Sequence, residues 1–147
     1  MIDALQRLLN TELPITKHLG LTVIAAGQDR IILGAPLTPN RNHKGTAFAG
    51  SLNAIATLAG WSWLTGFLHI HRLAGQVVLQ DSSITYTRPV TTDFTATCLT
   101  PEEAIIARFQ AVYRRSGRGR LRLTVDIADE AGIAGSFTGR YVAERPR

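Results

Sequence analysis

A single cysteine, Cys98, rules out an internal disulfide. His69 and His71 lie two apart with no Cys or Glu beside them, so no metal site is expected. Acidic residues are outnumbered: 16 Lys plus Arg stand against 11 Asp plus Glu, a net charge of +5. That balance suits acidic partners such as coenzyme A, acyl carrier protein or nucleic acid, without choosing among them. Interleaved aromatics and a recognition-helix motif are both missing, which argues against nucleic acid. Charge is absent altogether from Gly45 to Leu68. Such a run is long enough to raise a membrane-spanning reading, but Ser51, Asn53, Thr57, Ser62 and Thr65 dilute it, and the chain downstream reads as sheet. The expectation is a helix enclosed by protein, with no membrane span.

Ile2, Leu5, Leu8 and Leu9 recur at helical spacing in the first eleven residues and predict a short amphipathic helix closed by Pro14. Leu21–Ala26 and Arg30–Ala35 are β-rich runs about Gly27-Gln28-Asp29, the composition of a hairpin. Pro36 and Pro39 mark a loop, and the long helix is expected from about Ala47 to about His69. Gln76–Val90 and Phe94–Leu99 read as strands. Thr100-Pro101-Glu102-Glu103 predicts a helix start with Thr100 as cap and Pro101 at the first position. Ile105, Ile106, Phe109, Val112 and Tyr113 carry that helix to Gly117. Leu121, Leu123, Val125 and Ile127 then alternate with polar residues, a strand with one wet face, and Gly132 turns the chain into a last strand over about Ala134–Ala143. The whole is a single α+β domain, residues 1–147, with a long helix on an antiparallel sheet. Its edge strands and half-buried helix make a dimer the expectation. Asp3, Arg7, Glu12 and Lys17 break up any signal-peptide pattern, so a cytoplasmic location is expected.

The chemistry points to the entrance of the uncharged run, Asn42-His43-Lys44-Gly45-Thr46-Ala47-Phe48-Ala49-Gly50-Ser51-Leu52-Asn53. The first N–H groups of a helix lack internal partners, and the aligned peptide dipoles add partial positive charge there. A ligand carbonyl or phosphate can fill that role. Gly45 and Gly50 let a ligand or another backbone approach closely. Gly50, Asn53 and Thr57 follow at three- and four-residue steps and share one helix face.

These residues resemble the hotdog-fold thioesterase superfamily, in which a curved antiparallel sheet wraps a central helix and protomers pair. Asn42, Gly45, Thr46, Ala47, Gly50 and Leu52 fall in register with the PaaI-like pattern, and Asp81 to Val90 resembles that family's long third strand. A closer resemblance is to the thioesterase-like domain at the C-terminal end of YiiD-type acyltransferases. Its motif is matched by Asn42, Lys44, Gly45, Thr46, Ala47, Phe48, Gly50, Ser51 and Leu52, and again by Gly139-Arg140-Tyr141-Val142-Ala143. Phe48 stands where PaaI-like enzymes carry His, and Thr57 where they carry the catalytic acid. The missing His also argues against a dehydratase of the same fold.

The resemblance implies an acyl-CoA or acyl-carrier-protein thioesterase in fatty-acid metabolism. Coenzyme A or phosphopantetheine would enter only as part of the substrate, with no separate cofactor. The alternative is a non-catalytic acyl-thioester binding module serving an acyltransferase. Gly50 is then the expected oxyanion donor, Asn42 either orients water or caps the loop, and Asn53 and Thr57 face the thioester. Asp81 or His43 would supply the missing base, Asp81 across the interface of a homodimer, with a tetramer as the alternative assembly. Phe48, Ser51, Ser83, Arg88, Arg118 and Arg120 are the expected substrate contacts, the arginines through phosphate.

Overall fold

The computed structural model describes residues 1–147. Its elements run α1 (Ile2–Glu12), α2 (Ile15–Leu19), β1 (Thr22–Ala26), β2 (Arg30–Ala35), a 3-10 turn (Thr38–Asn40), α3 (Ala49–Ile70), β3 (Gln76–Tyr86), β4 (Phe94–Leu99), α4 (Glu103–Ser116), β5 (Arg118–Asp129) and β6 (Gly132–Glu144). The six strands form one antiparallel sheet in the order β1-β2-β4-β5-β6-β3. The helix α3 packs against β2, β4, β5, β6 and β3 and so lies across the inner face. No helix is long and apolar enough to cross a membrane.

Enclosure of α3 is what the sheet is built around. Ile55, Ala56, Ala59, Ser62 and Leu64 are essentially inaccessible. Gly60 makes room for Tyr141: a Cβ there would lie 2.3 Å from the Tyr141 hydroxyl oxygen. That hydroxyl donates to the Thr57 carbonyl at 2.7 Å, tying β6 to the middle of the helix. The two indoles anchor the helix on either side, Trp61 donating to the Val77 carbonyl and Trp63 to the Thr100 hydroxyl.

As expected, α1 closes ahead of Pro14, and the one-turn helix α2 follows, ending at Gly20 with φ 65°. Two local expectations are corrected. Thr100 does not cap α4, because its hydroxyl donates to the Gln28 carbonyl while accepting from Trp63, and the helix begins at Glu103 without a side-chain cap. A buried indole N–H needs an acceptor, and that demand outweighs a cap that water can replace. Finally, β3 stops at Tyr86, short of Val90.

The strand β3 also carries a bulge between Leu79 and Asp81. Val77 and Leu79 face α3; beyond the extra residue, Gln80, it is Ser82, Ile84 and Tyr86 that oppose the inward Gly139, Phe137 and Gly135 of β6. A one-residue insertion exchanges the two faces of everything after it. Asp81 and Ser83 are therefore turned to the outer face, opposite Arg140 and Thr138.

Gly60→Ala is expected to lower stability by roughly 1–3 kcal/mol through overpacking against Tyr141, although Ala is the better helix former. Denaturant unfolding of the two proteins measures it, and an unchanged or raised midpoint would contradict the packing described.

Candidate functional site

The approach to α3 is a turn held by one side chain. The Asn42 Oδ1 accepts from the N–H groups of Lys44 and Thr46 at 2.9 and 3.1 Å, and its Nδ2 donates to the Thr46 hydroxyl at 2.8 Å. Gly45 completes the turn with φ 79°, a left-handed conformation that favours glycine. Asn42 is thus engaged in shaping the loop. On one flank the Ala47 N–H donates to the Val90 carbonyl at 2.9 Å; on the other the Phe48 N–H donates to Asn40 at 2.7 Å. Asn40 is itself buried, donating to the Leu19 and Pro36 carbonyls. In sequence it looks like a solvated loop residue between a proline and an arginine, and nothing local marks its role.

At the helix start the donors are unfilled. Phe48 occupies the N-cap position without a side-chain cap, and its carbonyl accepts from Ser51 and Leu52. The N–H groups of Ala49 and Gly50 have no partner in the chain. Both residues are exposed. The Phe48 ring lies over Gly50, where a Cβ would come within 2.4 Å of it. Next to these donors is a crevice of about 450 Å³, with Asn42, Thr46, Ala49 and Leu52 on one side and Tyr86–Val90 on the other. Tyr86, which sequence reasoning did not single out, donates its hydroxyl to the Ala49 carbonyl at 3.0 Å. Partial burial raises its pKa, so it remains a protonated donor at neutral pH. On the adjoining helix face, half-buried Asn53 and Thr57 meet at 3.4 Å between Thr57 Oγ1 and Asn53 Oδ1, which leaves the Asn53 amide N–H groups uncommitted.

A larger cavity, about 560 Å³, lies between the end of α3 and α4, lined by Trp63, Phe67, Ile70 and Ile106 among others. It is near the far end of a 22-residue helix, some 20–30 Å from the free N–H groups. Size alone would favour it, but the unfilled donors favour the crevice at the helix start.

The remaining expected residues are dispersed. Ser51 is buried in the first turn, and His43 is exposed at the tip of the turn. Asp81 sits on the outer face, 3.7 Å from Arg140, and Ser83 shares that face. Arg118 and Arg120 project from β5 on the side of the sheet opposite α3, at the end remote from its start. Within one chain these four do not converge with Gly50. Cys98 is inaccessible, and burial pushes its thiol up to about 12, which removes it as a nucleophile.

Arg88 is the clearest departure. Its Nε donates to the Ile133 carbonyl, Nη1 to Pro89 and Asp129 Oδ2, and Nη2 to Asp129 Oδ1 and the Gly132 carbonyl. A guanidinium has five N–H donors, so none is left for a phosphate. Arg88 instead clamps the crevice wall to the β5–β6 turn, and Asp129 also accepts from the Thr91 and Ala131 N–H groups. The Arg88 hydrogen bonds, with those backbone donors, hold the Asp129 carboxyl down to about 2 against an ordinary 3.8, despite burial. A depressed carboxylate stabilises the fold above its unfolded pKa, and that contribution is lost as pH falls through the folded value. Wild-type stability should therefore decline between about pH 4 and pH 2, and Asp129→Asn should flatten that limb while lowering stability at pH 7. Thermal melts across this range measure both; an unaltered acid limb in the variant would contradict the clamp.

With the geometry described, comparison places it among known proteins. The chain is similar over nearly its full length to a protein of unknown function from Chlorobaculum tepidum, at 29% identity and TM-score 0.94, covering 98% of this chain and 94% of the other. It is similar to a crystal structure named as a putative thioesterase from Shewanella oneidensis at 25% identity and TM-score 0.87, covering 99% and 97%. The PaaI protein of the E. coli phenylacetic acid degradation operon shares the fold at TM-score 0.71 and 15% identity, covering 99% and 94%. The fold is thus the hotdog arrangement. The model of the family described as "Putative thioesterase (yiiD_Cterm)" matches residues 2–145, and the chain belongs to that family.

Proposed function

We propose that the protein hydrolyses an acyl thioester of coenzyme A or of acyl carrier protein, with the thioester carbonyl received at the start of α3. The observation that carries this reading is the pair of partnerless N–H groups on Ala49 and Gly50, next to an open crevice. They are fixed before substrate arrives, at the positive end of a 22-residue helix. Donors held in place stabilise an oxyanion without reorganising when charge develops. Water attacks the carbonyl carbon, the oxyanion forms against these N–H groups, and its collapse breaks the C–S bond to give the acid and the free thiol.

Asn53 and Thr57 orient the water on the adjacent face. Neither is a base, and α3 carries no carboxylate. Asp81 is turned outward beside Arg140, which leaves His43, in the turn entering α3, as the proton acceptor. Phe48 and Ser51 flank the acyl group, while Asn42 positions the turn. The active unit is a homodimer joined through the free edge of β3. The absence of a helix carboxylate also supports a second reading, a binding module that holds an acyl thioester for an acyltransferase.

Free-thiol release from a panel of acyl-CoA and acyl-carrier substrates separates the two. Hydrolysis is expected, reduced about tenfold or more by Asn53→Ala and by His43→Ala with melting temperature retained. No release, with acyl-CoA still raising the melting temperature, would replace hydrolysis with binding. Equal rates in both variants would remove these residues from the mechanism.

A further inference from the structure

The chain has three tyrosines, and each hydroxyl donates to a backbone carbonyl: Tyr113 to Ala74, Tyr141 to Thr57 and Tyr86 to Ala49. Tyr113 and Tyr141 are inaccessible, and a buried hydroxyl has to find its partner within the protein. Tyr86 is 42% exposed, so water can serve its hydroxyl and burial does not dictate the bond. The bond is made nonetheless, at 3.0 Å across the crevice, to the first residue of α3. Tyr86 reaches that carbonyl only because the bulge in β3 turns it toward the helix.

The Ala49 carbonyl and the Gly50 N–H are the two ends of one peptide unit. That unit is planar and trans, so its oxygen and its N–H point in opposite directions and turn together. A bond that fixes the oxygen therefore aims the N–H. It also polarises the amide: a donor on the carbonyl draws electron density from the nitrogen and makes the N–H a stronger donor. The preceding unit has the same arrangement, since the Phe48 carbonyl accepts from Ser51 and Leu52 and the N–H of that unit belongs to Ala49. The helical ladder gives the Ala49 carbonyl only the Asn53 N–H, and Tyr86 adds a second donor to an oxygen with two lone pairs. No other side chain bonds the backbone of this first turn, which lacks a side-chain cap and contains a glycine, the residue with the most backbone freedom.

We propose that Tyr86 is a positioning residue for the oxyanion: its hydroxyl, bonded to the Ala49 carbonyl, aims and strengthens the Gly50 N–H that receives the thioester oxygen. This rests on the reading of the α3 start as the thioester site. The proton stays on the Tyr86 oxygen throughout, and Tyr86 acts only through the peptide. A better aimed and stronger donor gains most once the oxygen carries charge, so the effect falls on kcat rather than on KM.

The test is Tyr86→Phe in the full chain, which keeps the ring at the crevice wall and removes only the hydroxyl. Thiol release from acyl-CoA substrates is read together with the NMR shifts of the Gly50 amide in the substrate-free protein. The expected result is a fall in kcat of roughly three- to tenfold, less than the hundred- to thousandfold that follows outright loss of an oxyanion donor. KM should stay within about twofold, and the Gly50 amide proton should move upfield. Unchanged kcat would overturn the role. So would a raised KM alone, which marks a substrate contact, or a fall in kcat with the Gly50 amide unmoved, which marks a merely structural effect. If the wild-type protein releases no thiol, hydrolysis fails on its own and the Gly50 amide decides: an unmoved signal overturns the positioning, and an upfield shift sustains it for a carbonyl that is bound but not cleaved.

Discussion

A 22-residue helix without a single acidic or basic side chain, its late histidine aside, has to be enclosed, and the rest of the molecule answers that demand. Its apolar surface is too broad for one flat sheet to cover, so five strands contact it and the sheet curls. The close approach at Gly60, the Tyr141 hydroxyl and the two indole anchors all fasten the same helix. The same lack of charge defines the chemistry. This wrapped helix carries no carboxylate, so any catalytic power it supplies at its start resides in backbone dipoles and neutral side chains.

That start is rigid in a particular way. The chain entering it is bonded on both flanks, through Asn40 and Val90, and its turn is closed by Asn42. Its facing wall is held by Arg88 and Asp129. The turn and the wall around the two free N–H groups are hydrogen-bonded, while those two groups and the Asn53 amide N–H groups are not. In a fold whose buried polar groups otherwise find partners, with Ser62 and Thr65 as exceptions, this contrast gives the helix start its electrostatic bias.

Much of the fold was legible because long elements announce themselves by period. The uncharged run and the alternation of Leu121, Leu123, Val125 and Ile127 both became the elements they suggested. The turn and the glycines at the helix start were legible too. What escaped was set by tertiary contact. The bulge at Gln80 has no sequence mark, yet it decides that Tyr86 and Ser82 face the helix while Asp81 and Ser83 do not. Arg88 looked like a phosphate ligand until Asp129, 41 residues later in the chain, consumed its donors. Thr100 fitted a cap by local pattern and was claimed by an indole 37 residues away.

The two ends of the sheet are unequal. At β1 the Gln6 side chain accepts from the Val23 N–H and donates to the Leu21 carbonyl, an amide mimicking a strand. No such plug guards the outer side of β3, eleven residues long with Val78 exposed. A sheet blocked at one margin and open at the other can be extended once, by a copy of its own open margin, and then offers nothing further to join. The placement of one glutamine would thereby separate pairing from polymerisation: copies joined at the open margin, as proposed above, would terminate as a closed twofold object rather than propagate as a fibre.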